Sequence, residues 1–325
     1  MVNVTYSGAR AKALEKGLLG AGRLNRMAEC SSSEEAFKIL SEVNFADGTI
    51  SLVSDFEQAI ATELDKLYRF IREDAPSENI KKFLLYPEDF HNAEAFIRAK
   101  YLKIEPDKML APDGMFKKEY LKEKIFLDEY KNFPKSMADA MLYCDTEFVS
   151  GRADGCLVNS AFNKALYDEL YLLSRNNKYL KQIYSVKADC VNISLALRTR
   201  NFSECKDLFI KGRALSLTEL EILCTEQANA LKERTKFFKN ADFICAAAED
   251  FSVSMPLKEF EKKSDEYAVK FLKKEKYSQD GTHAFLSYVY YKLSELSNVR
   301  IIITGLNGGE KSDKIKRRIR DGYDG

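Results

Sequence analysis

The stretch Asp89-Phe-His-Asn-Ala-Glu-Ala-Phe-Ile-Arg98 sets the architecture, because the chain repeats its pattern twice more. It returns as Asp189-Cys-Val-Asn-Ile-Ser-Leu-Ala-Leu-Arg198, and again as Glu295-Leu-Ser-Asn-Val-Arg-Ile-Ile-Ile-Thr304. In each copy an acidic residue stands three positions before an asparagine, and apolar residues follow at spacings of three and four. Such spacing places the apolar side chains on one face of a helix. The sequence therefore predicts three copies of one helical unit.

A long amphipathic helix is predicted ahead of the first motif, and its pattern is also duplicated. Four of its apolar residues recur 106 positions later in the chain. A looser counterpart in the third unit is predicted to begin at Pro256, since proline suits the first turn of a helix. The first helix presents Phe56, Ile60, Leu64, Leu67 and Ile71, and the second presents Phe162, Leu166, Leu170 and Leu173.

Turn signals place the unit boundaries near residues 115 and 215. Ala111-Pro-Asp-Gly114 follows the first motif, and the segment 211–216 follows the second. Ser216 and Glu219 form a capping-box pattern that predicts a helix start there. Glycine and proline in such segments interrupt helices. We therefore expect helical repeat units at residues 1–114, 115–214 and 215–325.

Local patterns give three further predictions. Val299–Thr304 is rich in β-branched residues and locally resembles a strand, but the repeat register predicts a helix. Ser32, three residues before Glu35, forms a capping-box pattern that predicts a short helix ending before Asn44. The N-terminal segment has apolar residues at helical spacing, namely Leu14, Leu18, Ala21, Leu24 and Ala28.

The composition is normal for a soluble globular protein. Charged residues make up 31% and hydrophobic residues 45%, and six prolines and no tryptophan favour helix nearly throughout. The net charge of +1 argues weakly against a general nucleic-acid binder. We expect no membrane-spanning helix and no signal peptide. Seven scattered cysteines without a Cys-x-x-Cys pair predict reduced thiols in a cytoplasmic protein.

One segment resembles a nucleotide site. Gly305-Leu-Asn-Gly-Gly-Glu-Lys-Ser312 nearly matches the phosphate-binding pattern Gly-x-x-x-x-Gly-Lys-Ser/Thr. Glu310, however, replaces the second glycine and would put a carboxylate beside the phosphates. We interpret the segment as a turn between helices, followed by a short basic helix at 311–320 with a solvated face. The two histidines, His91 and His283, lack partners at metal-ligand spacing, so we expect surface or partly buried roles for them.

The repeated polar residues are the candidate functional residues. Asp89 and Asp189 are predicted to lie near the starts of their helices and to cap amides there. Asn92 and Asn192 are predicted to hydrogen-bond to the adjoining helix. A residue repeated in every unit is more typical of a shared scaffold than of an active site, so we favour a scaffold role over partner contact. The residues concerned are Asp89, Asn92, Arg98, Asp189, Asn192, Arg198, Glu295, Asn298 and Arg300.

In their order and spacing, these motifs resemble the C subunits of the prokaryotic V-type (A/V-type) ATPases, which are relatives of the eukaryotic d subunits. The segment 6–19 looks like the opening helix of that family. The Asp-x-x-Asn motifs that begin at Asp89 and Asp189 look like its internal helix starts. The segment 295–305, with the terminal basic helix, is similar to its closing signature. The likeness covers essentially the whole chain, although Thr304 replaces the arginine that the internal repeat leads one to expect.

The resemblance implies an all-α fold of three pseudo-threefold-related helical subdomains that form a funnel. It implies a non-catalytic rotor subunit, peripheral at the cytoplasmic face of the membrane, that acts as a socket between the central stalk and the membrane proteolipid ring. Its partners would be the central-stalk subunits and that ring, with no cofactor, nucleic acid or small-molecule substrate. The choice of proton or sodium, and of ATP synthesis or hydrolysis, would reside in other subunits.

Two other classes of function stay open on the sequence alone. A generic α-helical repeat adaptor would bind a protein partner in a concave face. A small NTPase would use Lys311. Co-purification with stalk and ring subunits separates the adaptor from the rotor subunit, and ATP hydrolysis lost on changing Lys311 would support the NTPase.

Overall fold

The computed structural model describes residues 3–48, 53–253 and 258–324, and every regular element in these ranges is helical. The predicted all-α fold class is therefore confirmed. The α-helices, in chain order, are α1 (Val4–Glu15), α2 (Gly20–Ala28), α3 (Ser33–Glu42), α4 (Phe56–Asp74), α5 (Glu78–Leu102), α6 (Lys118–Phe126), α7 (Lys135–Val149), α8 (Gly155–Ser174), α9 (Lys178–Thr199), α10 (Phe202–Cys205), α11 (Leu217–Thr225), α12 (Ala228–Arg234), α13 (Ala241–Val253), α14 (Lys258–Lys273), α15 (Gly281–Asn307) and α16 (Ser312–Arg318).

The three copies of the motif lie in three of the longest helices, α5, α9 and α15, which have 25, 22 and 27 residues. The strand-like run at 299–304 is helical, as the repeat register predicts. Val299, Ile302 and Ile303 are fully buried there. Their burial on one helical face outweighs a β-propensity whose whole scale spans only about 1 kcal/mol.

Each motif helix follows another long helix in the chain, namely α4, α8 or α14. The predicted apolar faces of α4 and α8 point inward. Pro256, the predicted start of the third counterpart, lies outside the described residues. The buried positions are Ile60, Leu67 and Ile71 on α4 and Phe162, Leu170 and Leu173 on α8, with Phe56, Leu64 and Leu166 half-buried.

The N-terminal apolar residues do not form one helical face. The chain leaves the helix at Lys16 and starts a second helix at Gly20. As a result Leu14 and Ala21 are exposed, whereas Leu18 and Leu24 are buried. The helical spacing in this segment is interrupted by a turn that its glycine-rich sequence allows.

Two helix starts follow their predicted capping chemistry. The Ser32 hydroxyl accepts a hydrogen bond from the Glu35 amide at 3.3 Å, and α3 then ends at Glu42, before Asn44. The Glu35 carboxylate accepts from the Ser31 amide rather than from that of Ser32. Ser216 and Glu219 form a complete reciprocal capping box at the start of α11.

The described chain divides into two compact units, one formed by residues 1–81 with 265–325 and the other by residues 82–264. In the first unit α1, α2, α3 and α4 pack around α15. In the second unit α8, α10, α11 and α13 pack around α9. A helix that carries the repeated motif is thus central to each unit. The three repeat units with boundaries near 115 and 215 stay a prediction.

Within the described ranges, none of the helices combines the length and the apolar character needed to cross a lipid bilayer.

Candidate functional site

In each copy of the motif the asparagine side chain pairs with the backbone of a non-helical segment that lies downstream of its helix. Asn92 is fully buried on α5. Its Oδ1 accepts from the Ala111 amide at 2.7 Å, and its Nδ2 donates to the carbonyl oxygens of Ala111 at 3.3 Å and Pro112 at 3.2 Å. We call this arrangement an asparagine clamp.

The second and third clamps repeat the first with closely similar geometry. Asn192 accepts from the Ile210 amide at 2.7 Å and donates to the Ile210 carbonyl at 3.0 Å. Asn298 accepts from the Arg320 amide at 2.8 Å and donates to the Arg320 carbonyl at 2.9 Å. Both backbone groups of one residue are thereby satisfied by a single side chain, which buried backbone requires.

The predicted partner of these asparagines, an adjoining helix, is wrong. Ala111 and Ile210 lie in non-helical connecting segments, and Arg320 lies beyond the end of α16. An asparagine amide presents one acceptor and one donor side by side, so it matches an irregular backbone whose own amide and carbonyl are unpaired. Helical backbone has already used those groups.

The two aspartates hold the same connecting segments a few residues further on. Asp89 accepts from the amides of Met115 at 2.8 Å and Phe116 at 3.1 Å. Asp189 accepts from the amides that follow the second motif, those of Ala214 at 3.1 Å and Leu215 at 3.0 Å. The Asn240 side chain donates to Asp189 as well.

The predicted position of Asp89 and Asp189 near the starts of their own helices is also wrong. α5 begins at Glu78 and α9 begins at Lys178, so each aspartate lies in the middle of its helix. The carboxylates do bind free backbone amides, but those of the segment downstream. The sequence pattern indicates that each carboxylate binds backbone amides, but it does not indicate which amides.

Two glycines allow the connecting segments to lie close against their neighbouring helices. A Cβ on Gly114 would lie 2.5 Å from Asp89 Oδ1 and 2.6 Å from the Leu85 carbonyl oxygen. Gly212 has a φ of +73°, and a Cβ there would lie 2.4 Å from the Tyr171 ring. Any larger residue would push either segment away from its motif helix.

Burial raises the pKa of Asp89 to about 7, against the opposing effect of the Met115 and Phe116 amides. Burial also raises the pKa of Asp189, while the Leu215 and Ala214 amides oppose the shift. Both carboxyl groups therefore lie in surroundings that penalise their charge.

The third copy uses its acidic residue differently. Glu295 accepts from the backbone amide of Leu19 and pairs with Lys292 at 2.7 Å. Lys292 also pairs with Glu63 at 2.6 Å, and all three charged side chains are buried. Burial lowers the pKa of Lys292, but Glu295 and Glu63 outweigh it and raise the pKa overall. The lysine is therefore a charged centre between two carboxylates.

Sequence reasoning missed Lys292 and Glu63. A signal existed for the lysine, because it stands three residues before Glu295 inside an apolar helix, where an unpaired charge is costly. Glu63 carried no such signal. It is 229 positions away in the sequence and matches the polar face of an ordinary amphipathic helix.

The three arginines of the candidate set do not share a role. Arg98 pairs with Glu94 at 2.7 Å and donates to the Gly155 carbonyl at 3.1 Å. Arg198 is exposed. Arg300 makes a two-point pair with Glu57, and both side chains are about half exposed. Arg98 and Arg198 occupy equivalent motif positions without a common contact, and Arg300 lies two positions after Asn298, where the other copies have no arginine.

The segment that resembles a phosphate-binding loop is a helix end and a turn. α15 runs to Asn307, so helix and not strand precedes it. The Glu310 carboxylate pairs with Lys314 and Arg318 at 2.7 Å each, which ties the turn to the basic helix α16. The interpretation as a turn between helices is confirmed, and this geometry gives no support to a nucleotide site at Lys311.

Both histidines bind backbone carbonyls. His91 contacts the Met109 carbonyl oxygen through Nε2 at 2.6 Å, and His283, fully buried, contacts that of Leu272 at 2.9 Å. Among the described residues no three His, Cys, Asp or Glu side chains gather as a metal site would require.

A comparison with known proteins identifies the family of the chain. Residues 8–318 match the family described as the ATP synthase (C/AC39) subunit. The chain belongs to this family. The resemblance drawn from its motifs is thereby confirmed.

Two relatives are similar to the chain over most of its length. The C subunit of the V-type sodium ATPase of Enterococcus hirae is 22% identical over 300 residues, which cover 83% of this chain and 83% of the relative. The C subunit of the A-type ATP synthase of Thermococcus kodakarensis is 23% identical over 333 residues, which cover 96% of this chain and 89% of the relative. The ATP synthase (C/AC39) family comprises non-catalytic stalk subunits of V/A-type ATPases, so the chain is a structural component of such a complex.

Proposed function

We propose that this chain is the rotor subunit that couples the soluble central stalk to the membrane proteolipid ring of a V/A-type ATPase. The observation that carries the proposal is the family match over residues 8–318. In this role the chain lies peripherally at the cytoplasmic face of the membrane and transmits torque between two rotating partners. It acts during ion transport or ATP synthesis and performs no chemistry itself.

The asparagine clamps support this function physically. A coupling that yields under load would dissipate torque, and irregular connections are ordinarily the most compliant parts of a helical protein. Here the segments after α5, α10 and α16 are each held by an asparagine at two or three backbone atoms. We therefore assign the asparagines, the aspartates and Glu295 of the candidate set to a stiff scaffold of three repeat units, in the three-subdomain arrangement that the family resemblance implies.

The test removes the chain from membranes of the organism that makes it and measures two activities. Without the chain, we expect ATP hydrolysis to continue while ATP-driven transport of protons or sodium is lost. Purified chain added back should restore transport. Transport that survives removal of the chain would contradict the coupling function.

A pull-down from detergent-solubilised membranes identifies the partners. We expect stalk and ring subunits to co-purify with the tagged chain. Co-purification of unrelated proteins alone would favour the generic helical adaptor instead. The Asn159→Ala variant, altered at an exposed position on α8, provides a matched control that should bind and couple like the natural chain.

A further inference from the structure

Two cysteines of the second unit face each other inside the protein. Cys205 ends the short helix α10, and Cys224 lies near the end of α11. Their Sγ atoms are 3.5 Å apart, and both side chains are buried with at most 1% exposed. Both are free thiols, as are the other five cysteines of the chain.

The two thiols bracket the connecting segment that the second motif holds. Residues 206–223 lie between them, and this stretch contains Ile210, held by Asn192, and Ala214, held by Asp189. We infer that Cys205 and Cys224 are an oxidisable dithiol that closes an intrachain disulfide across this segment. The inference goes beyond the proposed coupling function and does not depend on it.

The geometry needs only a small adjustment. A disulfide bond is about 2.05 Å long, so the sulfur atoms must approach each other by about 1.5 Å. Cys205 lies at the end of a helix of only four residues, where a modest rotation of the backbone and side chain can supply that shift.

Access to the thiols depends on local opening. Burial raises the pKa of Cys224 to about 12, so the closed structure disfavours the thiolate that would attack an oxidant. α10 is a single turn whose Ser203 and Glu204 are exposed, and such short elements open at low cost in free energy. The Arg200 guanidinium, which binds the Leu223 carbonyl at 2.9 Å, favours the thiolate of Cys224 by its charge.

The reaction is thiol–disulfide exchange with a small-molecule disulfide such as oxidised glutathione. One cysteine thiolate attacks the oxidant and releases one small thiol, leaving a mixed disulfide. The second cysteine then attacks the mixed disulfide at the protein sulfur and releases the second small thiol. Two electrons pass from the dithiol to the oxidant, and the two protons end on the released thiols.

The resulting bond would reinforce the clamp covalently. Asn192 and Asp189 hold the segment by hydrogen bonds that break when α9 and its neighbours separate. A disulfide between its ends would limit the unfolded conformations of the segment as well. Oxidation therefore stiffens the second unit at one defined connection.

The test exposes the folded full-length chain to a series of glutathione redox buffers, below its unfolding temperature. Free thiols are then counted after denaturation and alkylation, and linked peptides are identified by mass spectrometry. We expect the count to fall from seven to five, with Cys205 joined to Cys224. The melting temperature of the oxidised chain should rise by about 5 °C or more.

Two variants separate this pair from the other thiols. Cys205→Ser should abolish both the linked peptide and the rise in melting temperature, while Cys144→Ser, which changes a buried cysteine elsewhere in the chain, should leave both intact. Seven free thiols in the most oxidising buffer, or links that omit this pair, would overturn the inference. So would a Cys205–Cys224 bond that leaves the melting temperature unchanged or lower.

Discussion

The third copy of the motif differs from the first two in the groups that its acidic residue binds. Asp89 and Asp189 bind amides of the connecting segment that lies downstream of their own helix. Glu295 instead binds the amide of Leu19, 276 positions away, and shares Lys292 with Glu63. Compared with the aspartates, Glu295 has one additional methylene and a lysine three residues earlier. Its contacts therefore link helix α15 to a segment that is distant in sequence, whereas the aspartates bind nearby residues. The asparagine is the constant part of the motif, and the acid is the adaptable part.

The Lys292→Ala variant tests whether the third copy depends on its ion pairs. It leaves the carboxylates of Glu63 and Glu295 buried without their shared cation, so we expect a loss of about 3–5 kcal/mol in the free energy of unfolding. Urea denaturation at pH 7 measures it. Lys66→Ala provides a control, because Lys66 pairs with the same Glu63 from a position that is one-third exposed. Equal losses in the two variants would show that burial of the network has no special cost.

The Asn192→Ala variant tests the part that the three copies share. It leaves the Ile210 amide unpaired in a buried site, while the Ile210 carbonyl keeps its hydrogen bond from Arg213. We therefore expect the free energy of unfolding to fall by about 1–3 kcal/mol. Asn92→Ala and Asn298→Ala should give losses of similar size, whereas Asn159→Ala on the surface should give almost none. An unchanged melting temperature together with weakened assembly would assign Asn192 to partner contact instead.

Stability measured over a pH series, for the natural chain and for Asp89→Asn, tests whether burial raises the pKa of Asp89. The pKa of Asp89 is about 7 in the folded chain, above its ordinary value of 3.8, so the folded state keeps a proton that the unfolded state has lost. The free energy of unfolding should therefore fall as pH rises through this window, by about 2 kcal/mol between pH 5.5 and 7. The Asn variant should lack this part of the decline. Parallel curves for the two proteins would refute the assignment.

The Arg300→Ala variant should have the smallest effect. Arg300 and Glu57 are both about half exposed, and exposed pairs contribute less than about 1 kcal/mol. A double-mutant cycle with Glu57→Ala measures the coupling. A coupling energy comparable to the loss at the asparagine clamps would mean that this ion pair is part of the scaffold after all.

Much of the fold could be predicted because the repeat supplies long-range information. The register of Asn92, Asn192 and Asn298 correctly predicted helix for the strand-like run at 299–304. Local patterns sufficed where the chemistry is local, as in the capping box at Ser216.

The remaining features depend on long-range contacts that produce no periodic pattern in the sequence. Nothing in the sequence around Glu63 indicates that it meets Lys292, and nothing around Cys205 indicates that it faces Cys224. The roles of Asp89 and Asp189 were misplaced because a carboxylate that caps its own helix and one that caps a downstream segment have the same local pattern.

The first unit is formed from both ends of the chain, residues 1–81 and 265–325, whereas the second is continuous. During synthesis on the ribosome, the helices that surround α15 emerge long before α15 itself exists. At about 5–20 residues per second, the intervening residues take roughly 10–40 s to make. Until then Leu67 and the other core residues of α4 lack their principal partner. A chain that terminates just before residue 281 therefore lacks the central helix of the first unit while it retains every residue of the second.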